Sequence, residues 1–189
     1  MSQVNLRKMI AARSPKVGNT FFISIDGRGG SGKSTLAVWL SEKCGFQIVE
    51  TDDFATWENP FDWWPLVIEQ AFQPIESGAK TLSRFRKSRG KVEVQPVTEI
   101  MILEGVSASR REFRPYLSLS IFVDAPKTLC LRRGIERDLL KGKTRDQLEK
   151  LWTGWVEEED KYLERDQPAR HADVTILGTK PFEEQIALD

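Results

Sequence analysis

Histidine and cysteine are nearly missing from this chain, which has only His171, Cys44 and Cys130. A single histidine, placed in a polar turn after Pro168, leaves no histidine metal cluster or triad to assemble, and it is assigned no role. Two cysteines far apart build neither a disulfide framework nor a zinc site by themselves. Each reads as a buried free thiol, and a cytoplasmic location is expected. Excess charge is also missing, since 28 Lys and Arg face 28 Asp and Glu. That balance argues against nucleic acid or an anionic membrane as the main partner. No apolar run approaches a membrane span, and residues 1–20 lack the apolar centre of a signal peptide. Repeats, low-complexity tracts and linkers are absent. With 189 residues, 40% apolar and 30% charged, the chain is expected to be a single domain over 1–189 with a full core. A small-molecule partner and a monomeric or homodimeric state are expected.

What is present is a glycine-rich loop. Gly27-Arg28-Gly29-Gly30-Ser31-Gly32-Lys33-Ser34 is a complete Gly-x-x-x-x-Gly-Lys-Ser phosphate loop, or P-loop. The run at 20–25 before it is β-branched and aromatic, as in a buried strand. The run after it, from Ser34 and Thr35 through Leu40, is apolar at helical spacing. Strand, loop and helix in that order give the motif its mechanism. The glycines let backbone N–H groups curl around phosphate oxygens, and the helix N-terminus adds partial positive charge. Residues 27–35 would cradle ATP, with Lys33 on the β- and γ-phosphates and the Ser34 hydroxyl on Mg²⁺.

Four further apolar runs read as strands: 46–50, 100–103, 119–123 and 173–177. Helices are expected at 4–12, 32–43, 65–72 and 127–141, and another from Thr144-Arg145-Asp146-Gln147, a capping box. The stripe Leu148, Leu151, Trp152, Trp155 and Tyr162 would face the core on that last helix. The acidic run Glu157-Glu158-Glu159-Asp160 would face solvent. Segments 81–86 and 91–95 alternate around Ser88-Arg89-Gly90 and read as a hairpin. Five buried strands separated by helices predict a three-layer αβα, P-loop NTPase fold around a five-stranded parallel sheet. A small β-hairpin and a helical lid at about 133–147 would be added, with an acceptor-side insert at about 54–97. Ligands of such sheets lie at the carboxyl ends of the strands. Those ends carry the P-loop, Asp52-Asp53, Glu104 and Asp124.

Phosphoryl transfer needs held phosphates, a metal and a base or orienter for the acceptor. Asp52 or Asp53 can take an acceptor proton or hold a Mg²⁺ water, or the pair can simply cap a turn. Glu104 can hold the Mg²⁺ water shell, or cap the turn at Gly105. Arg133 and Arg137, four apart on one helix face and followed by Lys141, Lys143 and Arg145, form either a cationic flap over ATP or a solvated face. Arg84 and Arg86 share one face of the hairpin and either contact an anionic acceptor or blunt an exposed edge. Trp57, Phe61, Trp63 and Trp64 either wall an acceptor pocket, with Asp62 offering hydrogen bonds to hydroxyls, or form a core lid.

In this order the pieces resemble the uridine kinase–phosphoribulokinase group of P-loop kinases. The resemblance is carried by Ile25-Asp26-Gly27 into the P-loop, by Asp52-Asp53-Phe54, by Ile102-Leu103-Glu104-Gly105, and by Ile121-Phe122-Val123-Asp124 with Arg132-Arg133 and Arg137-Asp138 after it. It runs from about residue 21 to 177. It implies a kinase of a nucleoside-like or sugar-like metabolite, with Asp52 as base, Asp62 at ribose hydroxyls, and Arg133 and Arg137 as lid arginines. The group's nucleoside kinases carry a Tyr-Asp pair and a His in the hairpin. Here that stretch is Leu82-Ser83-Arg84-Phe85-Arg86-Lys87, which suits a more anionic acceptor, such as a phosphorylated sugar or a nucleotide. A nucleoside monophosphate kinase and a non-catalytic ATP sensor are the competing readings. A GTPase is disfavoured because no Asn-Lys-x-Asp occurs, and an ABC ATPase because no Leu-Ser-Gly-Gly occurs.

Overall fold

The computed structural model describes residues 3–55, 62–87, 89–140, 142 and 144–188. Its centre is a parallel sheet of β2 (Phe21–Gly27), β3 (Gln47–Glu50), β6 (Ile100–Glu104), β7 (Leu119–Asp124) and β8 (Val174–Leu177), in the order β3-β6-β2-β7-β8. All four pairings are parallel. These are the five expected strands, each shifted at its ends by a residue or two.

Side-chain alternation sorts the core onto the two faces of the sheet. Phe21, Ile23, Ile25 and Ile102 pack with Leu36, Ala37 and Leu40 of α2 (Lys33–Cys44) and with Leu6 of α1 (Leu6–Ala11). Phe22, Met101 and Leu103 face the other way, onto Val67, Ala71, Phe72 and Ile75 and onto Phe113. Phe22 and Phe113 both meet Phe72 edge-on, at centroid distances of 5.0 and 5.6 Å. A sheet covered on both faces needs its strands apolar throughout, and β2 is buried at all seven positions.

Two helical expectations need correction. The predicted 4–12 helix begins as a short strand, β1 (Val4–Asn5), paired in parallel with β9 (Ile186–Ala187). Only then does α1 start, where the Asn5 side chain accepts from the Lys8 N–H at 2.8 Å as an N-cap. The helix predicted to end at residue 72 runs on as α3 (Trp64–Val67), a π-helical turn over Ile68–Phe72 and α4 (Gln73–Glu76). Pro74 has no N–H and disfavours the α conformation before it. The widened turn, closed by the Gln73 N–H on the Ile68 carbonyl, lets the chain carry the proline and keep Phe72 and Ile75 in the core.

The hairpin forms as β4 (Thr81–Arg86) against β5 (Lys91–Pro96), with Arg84 opposite Glu93. The segment predicted as a lid, about 133–147, falls within a helical pair, α5 (Lys127–Leu139) and α6 (Arg145–Asp166), which has its own small core of Ile135, Leu148 and Trp152. The capping box at Thr144 and Gln147 is present. A short α7 (Pro168–His171) returns the chain to β8. No helix among the described residues is long and apolar enough to cross a membrane.

Candidate functional site

The site grows from the end of β2. There the Asp26 carboxylate, fully buried, accepts from the N–H groups of Gly27 (2.6 Å), Ser109 (2.7 Å) and Ser107 (3.2 Å) and from the Tyr162 hydroxyl (2.6 Å). Burial pushes this carboxyl above its ordinary range, and the hydrogen bonds pull it back. Asp26 thus fastens the start of the loop to the segment after β6 and to α6. The loop then turns tightly under α5. Gly30 sits at φ +81°, and a Cβ there would lie 2.3 Å from the Cys130 carbonyl oxygen, so only glycine fits.

A cavity of about 980 Å³ opens at the carboxyl ends of the strands. Gly29, Gly30, Gly32, Lys33, Ser34 and Thr35 line it from the loop, Asp52 and Asp53 from the turn after β3, Glu104 from β6, and Arg133 and Arg137 from α5. Gly27 and Ser31 lie beneath, with Ser31 fully buried. Lys33 is 6% exposed, and its ammonium donates to the Arg28 carbonyl at 3.1 Å. The Ser34 hydroxyl donates to Glu104 Oε1 at 3.0 Å. Register brings these two together, because β6 pairs directly with β2 and ends beside it.

Glu104 is buried, and its carboxyl is raised to about 7. Burial is the main cause. Asp52 and Glu50 add to it, while Lys33 and the Ser34 hydrogen bond oppose it. A carboxyl raised from 4.5 to about 7 on folding favours the native state fully below the unfolded value. That contribution is lost progressively as pH rises from the unfolded value through about 7. Glu104→Gln, which can still accept from Ser34, should therefore melt with wild type at about pH 4, below the unfolded value. At pH 8, in chelator, it should be more stable by roughly 2–3 kcal/mol. Parallel melting curves at both pH values would show that Glu104 ionises without penalty.

The two aspartates after β3 have different surroundings. Asp52 is exposed to the cavity. The Asp53 side chain is 2% exposed and is held by Arg84 Nη1 (3.2 Å), Arg86 Nε (3.3 Å) and the Lys87 N–H (3.0 Å). Arg84 also donates to Gln95 Oε1 at 2.6 Å, and Arg86 to Glu50 Oε1 at 2.6 Å and to the Ile48 carbonyl at 3.2 Å. Arg84 and Arg86 therefore occupy neither of their expected places. They are turned inward and clamp the hairpin to the end of β3. Among the described hairpin residues it is Lys87, beyond them, that lines the cavity.

The aromatic segment is divided. Trp63 is 3% exposed and packs near Phe113 in the core beneath the sheet. Asp62 is exposed, away from the cavity lining, and close enough to act on Arg165. Trp57 and Phe61 lie outside the described residues, as do Lys141 and Lys143 of the predicted flap. Arg133 donates to the Gly178 carbonyl at 2.9 Å. Arg137 lies over the Trp152 ring at 5.7 Å, and its Nε donates to Asp138 at 3.1 Å.

Several lining residues escape the sequence reading, namely Glu159, Trp152, Trp155, Phe182 and Gly178. Glu159 reverses an expectation, because it is 2% exposed and accepts from the Gly29 N–H at 2.8 Å. The signal was there in the spacing. Glu159 falls in the same three-and-four register as Trp152, Trp155, Tyr162 and Asp166, the inward stripe of α6.

No family model and no curated protein matches this chain. Solved structures do. A possible uridine kinase from Bacillus stearothermophilus superposes with a TM-score of 0.61 at 21% identity, over 90% of this chain and 95% of that one. A candidate fructose transport system kinase from Silicibacter sp. TM1040 superposes with a TM-score of 0.63 at 18% identity, over 90% and 96%. At these identities the likeness is one of fold, and the fold of this chain is that of P-loop small-molecule kinase structures.

Proposed function

We propose that this chain is an ATP-dependent kinase of a small molecule, moving the γ-phosphate to a hydroxyl of a nucleoside-like or sugar-like acceptor. The observation that carries the reading is the convergence on one cavity of Lys33, the Ser34–Glu104 pair, Asp52 and two lid arginines. The nucleotide supplies the phosphoryl group. Lys33 and the loop N–H groups hold its phosphates, and Arg133 and Arg137 neutralise charge once they leave Gly178 and Trp152. The Asp52 carboxylate takes the proton of the acceptor hydroxyl as its oxygen bonds to phosphorus and the bond to the diphosphate oxygen breaks.

Mg²⁺ fits the donor set. Among the described residues no three His, Cys, Asp or Glu side chains converge on a metal site. Magnesium keeps its waters and takes substrate phosphates with only one or two protein ligands. Ser34 and Glu104 are the groups that would hold it here. Lys87 at the cavity wall gives the acceptor side a cation, so phosphorylated acceptors belong in the test beside neutral ones.

The test is a panel of nucleosides, nucleoside monophosphates, sugars, sugar phosphates and vitamins with ATP and Mg²⁺, read by release of ADP. A hydroxyl acceptor that stimulates release is the expected result. Transfer to monophosphates alone would replace this reading with a nucleoside monophosphate kinase. ATP binding with no stimulated turnover would replace it with a nucleotide sensor.

A further inference from the structure

The P-loop carries a negative charge of the protein's own. Glu159 of α6 places Oε1 2.8 Å from the Gly29 nitrogen, within the cavity wall that Lys33 and Ser34 also form. Its Oε2 lies 3.8 Å from Arg28 Nη1, which is buried with no hydrogen-bond partner among the described residues. The adjoining Asp160 takes Arg28 Nη2 at 2.6 Å and Lys127 Nζ at 2.5 Å. A Cβ on Gly29 would sit 2.8 Å from Glu159 Oε1 and 3.1 Å from the Trp152 ring, so the lid helix rests directly on the loop. A carboxylate is thus doing at Gly29 what a phosphate oxygen does in a loaded loop: it accepts from a backbone N–H beside a lysine ammonium.

We infer that Glu159 is a charge gate on the phosphate loop: it seats α6 on the Gly29 N–H and is displaced from it by the polyphosphate of a nucleoside triphosphate. Two anions cannot share the Gly29 N–H and the field of Lys33. Occupancy by the nucleotide therefore lifts Glu159, and with it Trp152, whose ring holds Arg137. Loading the loop and freeing a lid arginine become one event. The gate makes Glu159 a specificity residue, since its repulsion grows with the charge brought to the loop and vanishes for an uncharged nucleoside. This inference rests on the donor-site reading above.

Calorimetric titration of the full chain with ATP, ADP and adenosine tests it, using wild type and Glu159→Gln, with Glu159→Ala as the second variant. The glutamine keeps an acceptor for the Gly29 N–H and removes only the charge. The expected result is ATP binding roughly tenfold tighter in Glu159→Gln, a smaller gain for ADP and none for adenosine. The alanine variant is expected to tighten ATP in the same order. An equal gain for all three ligands would make the change one of shape and overturn the gate, as would ATP affinity equal to or below wild type in a variant with unchanged melting temperature. Wild type that binds no ATP would overturn the donor site itself, and the gate with it. Wild-type binding that Glu159→Gln leaves unchanged overturns the gate alone.

Discussion

Asp52→Asn should bind ATP as wild type does and lose phosphoryl transfer by about 10²- to 10⁴-fold, the range of a positioned general base. Asparagine has the size of aspartate and can still accept a hydrogen bond, but it cannot take a proton. Asp52 is the better placed of the two aspartates for that task. It is exposed to the cavity, while the Asp53 carboxylate is already engaged by two arginines and an N–H. A base must meet its substrate with a free oxygen, and Asp53 has given its oxygens to the hairpin. The companion variant Asp53→Asn should therefore show a different signature, a lowered melting temperature, because it removes the anion between Arg84 and Arg86. Single-turnover rates with saturating ATP separate the two. Turnover of Asp52→Asn within a few-fold of wild type would remove Asp52 from the chemistry.

The loop side of this cavity is legible in the sequence because its signals are local. Continuous apolar runs at 20–25, 100–103 and 119–123 can be satisfied only by strands buried on both faces. The loop at 27–34 spells its own backbone geometry. Glu104 followed from strand order, since a carboxylate ending a strand beside β2 must lie near Ser34. The hairpin side depends on partners distant in sequence. Alternation put Arg84 and Arg86 on one face of the hairpin, correctly, but could not say that Asp53, Glu50 and the Ile48 carbonyl lie against that face. In sequence Trp63 groups with its aromatic neighbours as a pocket wall or a core lid. The packing of Phe72 and Phe113 beneath the sheet made it core. Glu159 is concealed for a different reason. Four acids in a row suggest a solvated face, whereas a helix shows only one of them inward, and the Gly29 N–H gives that one a partner.

Arg84→Ala should be the most destabilising of the substitutions considered, by about 3 kcal/mol. Both partners of the pair are 2% exposed at the side chain. Removing a buried cation leaves its anion in a medium that cannot solvate it, at a cost of about 3–5 kcal/mol. The low end applies because Arg86 and the Lys87 N–H still reach Asp53. Gln95 Oε1 also loses its donor. Burial and the like charge of Arg86 both push the Arg84 guanidinium below its ordinary value, while Asp53 and Glu50 hold it up. Arg84 is therefore charged at some expense, and Asp53 is what makes the charge tolerable. The melting temperature should fall by roughly 6–12 °C. Arg84→Met with Asp53→Asn, which takes away both charges, should recover a good part of that loss. Function should follow in a particular way. The clamp fixes the end of β3, and Asp52 is the residue before Asp53, so at a temperature where the variant is folded KM for the acceptor should rise while ATP affinity holds. A melting temperature within 2 °C of wild type would mean that Asp53 is solvated without Arg84, and the clamp would then have no part in placing Asp52.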